Sequence, residues 1–530
     1  MGSDNHESDE AHVAMLKPSP GEEKISNTEA EQKKPFLKRL TVEPILLPYI
    51  VACVLVNLTN QNLNIQKACR VNLDLSKRVC ASLDHQDSSN SSDTSELQVQ
   101  KLVANMLIWQ TILQNSIPTV FVIFLGSWSD RNRRRRPCML LPLYGELIKN
   151  IGLFICVYFF DELPMQVSGL WQSLPIALTG YWVVMFMAVF SYVGDISTLK
   201  DKTMRVGLVN LTVAISLPIG TAFSGILYRK LGFYGVYGIS SILCIISIYF
   251  AYTFVEDKNP VINSKENKGT YWSRIKFFFD LKHIIEAFRV SFKKEKNHRR
   301  LKVIVLTILI TTIMGPLQGE KGVSYLFTRI KFNWTEMEFS IFSTFSMVIN
   351  LIGTSLVLGV VIKKYGADDA LVGIVASIGK FVSQIVFALA GSEVVYYFAA
   401  AINFLQGPAI ISQKSIVNKI IPAEELGQVT AVTSIGENLV PVFCGPLYSA
   451  IYEATVDYFP GAYFLLTASI TLITIVNYAI LYVLHRQEIR AGIHGEYTDP
   501  NPDEQSNGVS TIKYGSIKPS LNGIGEMKLQ

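Results

Sequence analysis

Seven ionisable side chains stand in stretches of this 530-residue chain that are otherwise almost wholly apolar: Glu146, Lys149, Glu320, Lys321, Lys380, Lys414 and Glu437. Two kinds of chemistry suit them. Lysines facing a shared cavity make a cationic site for an organic anion, and a carboxylate withdrawn from water can hold a proton that a surface acid would release. Glu437, Glu320 and Glu146 are the proton-holding candidates, in that order. Glu437 leads because it lies beside Asn438 in a stretch with Gly436, Pro441, Gly445 and Pro446, where an irregular helix frees backbone groups to face a cavity. Lys149 and Lys380 follow Gly126 and Gly359 by 23 and 21 residues, so they sit at similar depths. Either they face a cavity together or each snorkels to an interface. Glu146 and Lys149 are three residues apart, so they can also simply neutralise each other. All seven histidines fall outside the apolar stretches, which leaves a histidine switch without support.

The elements that must position these groups are membrane spans. Charged residues make up 17% of the chain, against about 25% in an average soluble domain. Segments 1–42, 256–300 and 485–530 hold 43 of the 91 Asp, Glu, Lys and Arg. What remains contains repeated apolar runs of about 20 residues, the length that crosses a bilayer core of about 30 Å. A soluble enzyme and a nucleic-acid binder are thereby excluded. Gly-x-x-x-x-Gly-Lys-Ser/Thr is absent, so ATP-driven pumping has no engine, and no cofactor or metal set is legible. The expected fold is an all-α membrane protein with twelve transmembrane helices, near 43–63, 102–125, 137–159, 172–194, 204–227, 233–254, 301–319, 337–361, 368–389, 393–412, 428–451 and 462–484. That layout gives two six-helix halves, 43–254 and 301–484. A cytosolic linker over 255–300 joins them, with an amphipathic helix within 271–293, and disordered tails cover 1–42 and 485–530. The first 42 residues carry both signs of charge, and no cleavable signal peptide is visible in them.

With an inside amino terminus, inside segments carry 36 of the 48 Lys and Arg and outside loops 10, which puts both tails in the cytosol. The sequons at Asn90 and Asn333 then face outward, as glycosylation requires. Cys69 and Cys80 are the only cysteines in outside loops, which favours a disulfide between them. Asn57, Asn60, Asn64, Asn105, Gln110, Gln114, Gln384, Asn403 and Gln406 lie in spans and need partners there, from water in a pathway or from neighbouring helices. Tyr514 to Ile517 matches a Tyr-x-x-apolar sorting pattern, so the membrane is the plasma membrane or an endolysosomal one.

Gly126, Asp130, Arg131, Arg134 and Arg135, between the second and third spans, resemble the loop signature of the major facilitator superfamily, Gly-x-x-x-Asp-Arg-x-Gly-Arg-Arg. Arg133 replaces the second glycine. In that signature, glycine allows helices to approach closely and the acid with its arginines forms a latch at the cytosolic mouth. A degenerate second copy follows at Gly359, Lys363, Lys364 and Gly366. The stretches Val193 to Ser197, Tyr325 to Trp334 and Glu424 to Gly427 narrow the resemblance to solute carrier family 46, which includes the proton-coupled folate transporter. The resemblance implies a secondary active transporter working by alternating access, with a small organic anion as substrate: folate-like, a cyclic dinucleotide or a cell-wall fragment. Aligned to the folate carrier, its acids meet Tyr181 and Asn210, its histidine meets Gly315 or Pro316, and its arginine meets Lys414. Lys414 is thus the preferred anion contact, with Tyr181 and Asn403 beside the same path. The missing acids keep an alternative open, a ligand- or partner-binding membrane protein that does not transport.

Overall fold

The structure is a computed structural model that describes residues 41–76, 79–80, 90–197, 202–257, 299–357, 368–420 and 423–490. Among these residues there is no strand. The helices are α1 (Glu43–Lys67, running on through a π-turn at Ala68–Asn72), α2 (Asn90–Asn132), α3 (Arg136–Tyr158), α4 (Met165–Thr179), α5 (Tyr181–Ile196) and α6 (Lys202–Phe254). They continue with α7 (Arg299–Phe332), α8 (Glu336–Leu356), α9 (Asp369–Leu389), α10 (Glu393–Ile402), α11 (Gln406–Ile420), α12 (Ala423–Thr455) and α13 (Ala462–Arg490). The compact body runs to Leu481. Of the separate carboxyl-terminal unit, the described residues 482–490 are helical, with Arg486 donating to the Tyr482 hydroxyl at 3.2 Å.

Nine stretches among the described residues are long and apolar enough to cross a membrane. One of them, Met204–Phe254, has 51 residues, about 75 Å of helix and enough for two crossings. It breaks at Gly232, with φ 62° and ψ −163°, where the sequence places the turn between its fifth and sixth spans. Two other spans are discontinuous. The expected fourth span is the pair α4 and α5, broken at Gly180 (φ 85°) and Tyr181 (φ 46°). The expected tenth span is α10 and α11, joined by a 3-10 turn at Asn403–Leu405. Pro408 has no N–H to offer the Phe404 carbonyl, and the helix tightens there. Counted with these breaks, the described helices are consistent with twelve crossings.

Two expected boundaries move by more than ten residues. The second span begins at Asn90 rather than near 102, and the seventh runs to Phe332 rather than 319. Glu320 and Lys321 therefore lie well inside α7, about 18 Å before its end. Helix α3 shows the inside-out pattern of a membrane helix. Ile148, Ile151 and Ile155 are 48%, 52% and 46% exposed, while Glu146, Lys149 and Asn150 are buried. Its Gly145 and Gly152 admit Thr179 and the Trp171 ring, so α3 and α4 pack closely.

Candidate functional site

Inside the amino-terminal helices, Lys149 Nζ donates to Glu146 Oε1, and the two side chains are 4% and 0% exposed. Tyr49 and Cys53 of α1, Tyr181 of α5 and Cys244 of α6 stand within electrostatic reach of the Glu146 carboxylate. Glu146 Oε2 and the Tyr49 hydroxyl are buried without a hydrogen-bond partner. Asn150, next to Lys149, donates to Ser240 Oγ at 2.8 Å. The amine of Lys149 is committed to its neighbour on the helix, not to an open cavity.

Lys380 occupies the comparable place in α9 and has different surroundings. It lines a small cleft with Ser377, Thr312 of α7, Gln406 of α11, and Thr471 and Thr474 of α13. The cleft holds about 20 Å³ of free space, room for one water. Glu320 of α7 is the carboxylate whose charge reaches Lys380, but its Oε1 accepts from Thr467 Oγ1 at 2.7 Å. Thr467 in turn shares a 2.7 Å hydrogen bond with the Tyr448 hydroxyl. Lys321, the next residue, is exposed and donates to Gln318 at 3.3 Å.

Lys414 on α11 is exposed, and its charge acts on the partly buried Glu437 of α12. Asn403 marks the break in its span: its Nδ2 donates to Gln406 Oε1 at 2.8 Å, while its Oδ1 is buried without a partner. Tyr181 marks the other break. Many of the uncharged polar residues in spans find interhelical partners. Gln172 Nε2 donates to Asn64 at 2.8 Å, Gln110 donates to Gln172 at 2.9 Å, and Tyr237 donates to Asn60 at 2.9 Å. Gln384 is fully buried with neither amide atom bonded.

The arginine loop is organised by Arg135. Its guanidinium donates to Asp195 at 2.8 Å, Asp130 at 2.5 Å and Ser129 at 2.9 Å. The backbone N–H groups of Arg135 and Arg136 donate to Asp257 at 2.8 and 3.1 Å. Burial works against the Arg135 charge, but the bonds to Asp195 and Asp130 outweigh it and raise its hold on the proton above the usual value. Arg134 reaches Ser129 O through its N–H, and Arg131 is half-buried. The close approach expected at Gly126 is not seen, since a Cβ there would meet Met187 at 3.9 Å, an ordinary contact. The sequence reading missed Asp257; its signal is the Glu256–Asp257 acid pair just past the end of the sixth span. The second copy of the signature, residues 258–298 of the linker, and the tails apart from 41–42 and 485–490 lie outside the described residues.

At the opposite end, Cys69 and Cys80 form a disulfide. Near it, contacts cross between early and late helices. Glu96 accepts from Arg329 at 2.7 Å, Tyr452 donates to Gln100 at 2.7 Å, Lys101 pairs with Asp457 at 2.6 Å, and Tyr325 donates to Asn62 at 2.6 Å. The sequence reading missed this set because 90–101 looks like loop. Glu96 and Gln100, four apart on α2, share one face, and Lys101 stands about 100° further round the helix. Of the two sequon residues, Asn90 opens α2, and Asn333 is exposed at φ 53° just after α7.

Comparison with known proteins fits this architecture. The model of the Major Facilitator Superfamily matches residues 102–445. The chain is 22% identical over 434 residues to "Probable peptidoglycan muropeptide transporter SLC46" of Drosophila melanogaster, covering 80% of this chain and 81% of that one. It is 25% identical over 453 residues to "Lysosomal proton-coupled steroid conjugate and bile acid symporter SLC46A3" of Gallus gallus, covering 82% and 92%. Among solved structures, the human organic anion transporter MFSD10 (TETRAN) superposes with a TM-score of 0.55 at 11% identity, over 84% of this chain and all of that one. A D-xylose-proton symporter gives a TM-score of 0.53 at 12% identity, over 82% and 97%. With the matched model spanning more than half of its length, this chain belongs to the major facilitator superfamily.

Proposed function

We propose that this chain is a solute carrier family 46 secondary transporter that moves a small organic anion together with protons by alternating access between two six-helix halves. The observation that carries the reading is the placement of Lys414 and Glu437 within a membrane-spanning bundle whose disulfide end is tied across by polar contacts. Lys414 supplies the cation for the substrate, with Asn403 and Tyr181 at the two helix breaks. Broken helices in corresponding spans are where transporters of this kind hold substrate. Glu437 holds the coupling proton, with Glu320 behind it; Glu146 is already committed to Lys149. The arginine loop and both tails face the cytosol, Asn90 and Asn333 carry glycans on the other side, and the membrane is plasma or endolysosomal. The relatives' names, which include lysosomal and proton-coupled symport, support this reading.

Uptake into proteoliposomes tests it, using folates, bile acid conjugates, cyclic dinucleotides and muropeptides at pH 5.5 and 7.4. Saturable flux, faster at pH 5.5, is expected for at least one anion. Lys414→Gln should raise its KM, and Glu437→Gln should flatten its pH response. Binding of an anion without saturable flux at either pH would instead establish the non-transporting alternative.

A further inference from the structure

Lys149 and Lys380 differ in what deprotonation would leave behind. Neutralising Lys149 would strand the Glu146 carboxylate, fully buried and with one oxygen already unpartnered. Lys380 has no such dependent. No ion pair or hydrogen bond reaches its amine among the described residues, and the one acid facing it, Glu320, has its own donor in Thr467. The α9, α11 and α13 residues that line the cleft with it carry no other titratable group.

The cleft's hydroxyls sharpen the point. Thr312, Ser377, Thr471 and Thr474 each turn their proton back onto a carbonyl of their own helix, at 3.0, 2.8, 2.7 and 3.3 Å. They therefore present lone pairs to the cleft. These four acceptors suit a donor in either protonation state, because an ammonium offers three N–H groups and an amine still offers two; the Gln406 amide is the one donor group in the lining besides Lys380. The free space admits one water, which can accept a proton.

We propose that Lys380 is a proton-exchange site of this chain: an Nζ–H bond breaks, its electron pair stays on nitrogen, and the proton passes to the cleft water, the reverse step restoring the ammonium. The use of this exchange in transport rests on the proposed function; the exchange itself does not.

The test is solid-state NMR of full-length protein in liposomes, with 15N,13C-lysine, recorded from pH 5.5 to 9. One Nζ signal should convert from ammonium to amine, disappear in Lys380→Met, and be equally absent in Lys380→Arg if the methionine variant does not fold. Lysines that all remain ammonium over this range, or a titrating signal that survives both substitutions, would overturn the proposal. Absence of anion uptake alongside a titrating Lys380 would remove the transport reading and leave the proton site; uptake alongside a non-titrating Lys380 would do the opposite.

Discussion

The interiors around α3 and α9 answer one problem in two ways. Both hold a lysine at similar depth, 13 residues into α3 and 11 into α9, buried in the first and half-buried in the second. Around α3 the charge is cancelled by Glu146 on the same helix; around α9 it has no fixed partner among the described residues and faces a cleft lined by hydroxyls from three helices. A cancelled charge is fixed in place, because either partner alone is costly in an apolar interior. A charge on which no buried partner depends can come and go. The largest expected effect therefore falls on the first region. Lys149→Met should cost about 3–5 kcal/mol, read as thermal unfolding of the purified protein, and Glu146→Leu on top of it should recover most of that loss. Lys380→Met, which strands nothing, should cost within about 1 kcal/mol. Equal losses at the two lysines would break the comparison.

The two discontinuous spans differ in the same spirit. The α4–α5 break depends on backbone that only glycine adopts readily: Gly180 has φ 85°, and a Cβ there would meet Val184 Cγ2 at 2.1 Å. The α10–α11 break rests on Pro408 and has ordinary dihedrals at Asn403, with φ −74°. Gly180→Ala should thus destabilise by about 2–3 kcal/mol, whereas Asn403→Ala should lose about 1 kcal/mol, the worth of one hydrogen bond. Comparable melting temperatures for the two variants would show that the breaks are equivalent.

How far the sequence discloses these arrangements depends on the range of the interaction. Glu146 with Lys149 is legible because a three-residue spacing brings the side chains together on any helix. The disulfide is legible because only Cys69 and Cys80 fall in loops on one side. The start of α2 is not, because Glu96, Gln100 and Lys101 look like a solvated loop until Arg329, Tyr452 and Asp457, more than 200 residues away, appear beside them. The depth of Glu320 is hidden for a related reason. Gly319, which reads as punctuation at the end of a span, is a contact point for the Tyr448 ring inside a helix that continues to Phe332.

The arginine loop offers a smaller effect of opposite sign. Arg133 stands where the superfamily signature has glycine, and its φ of 50° is the left-handed conformation that glycine adopts without strain. Arg133→Gly should stabilise the protein by up to about 1 kcal/mol, with the Arg135 bonds to Asp130 and Asp195 unaffected. A loss of stability on this substitution would mean that the Arg133 side chain, not the backbone turn, matters there.

The smallest effect is expected at the disulfide end, where two cross-bundle pairs contrast in burial. Glu96 and Arg329 are 17% and 4% exposed, while Lys101 and Asp457 are 38% and 44% exposed. An exposed pair contributes about 0.2–1 kcal/mol and is screened by salt, so Lys101→Ala should barely move the melting temperature. The alternating access proposed above would amplify even that. If the pair exists only when this end is closed, losing about 0.5 kcal/mol shifts the closed-to-open ratio roughly twofold. Thiol labelling of a cysteine placed at position 105, which faces Glu453 across the same seam, should then speed up about twofold in Lys101→Ala at low salt. The difference should vanish at about 1 M salt, where the screening length falls to about 3 Å. Labelling that is indifferent to both the substitution and the salt would place the closure of this end on its buried contacts, Glu96–Arg329, Tyr452–Gln100 and Tyr325–Asn62.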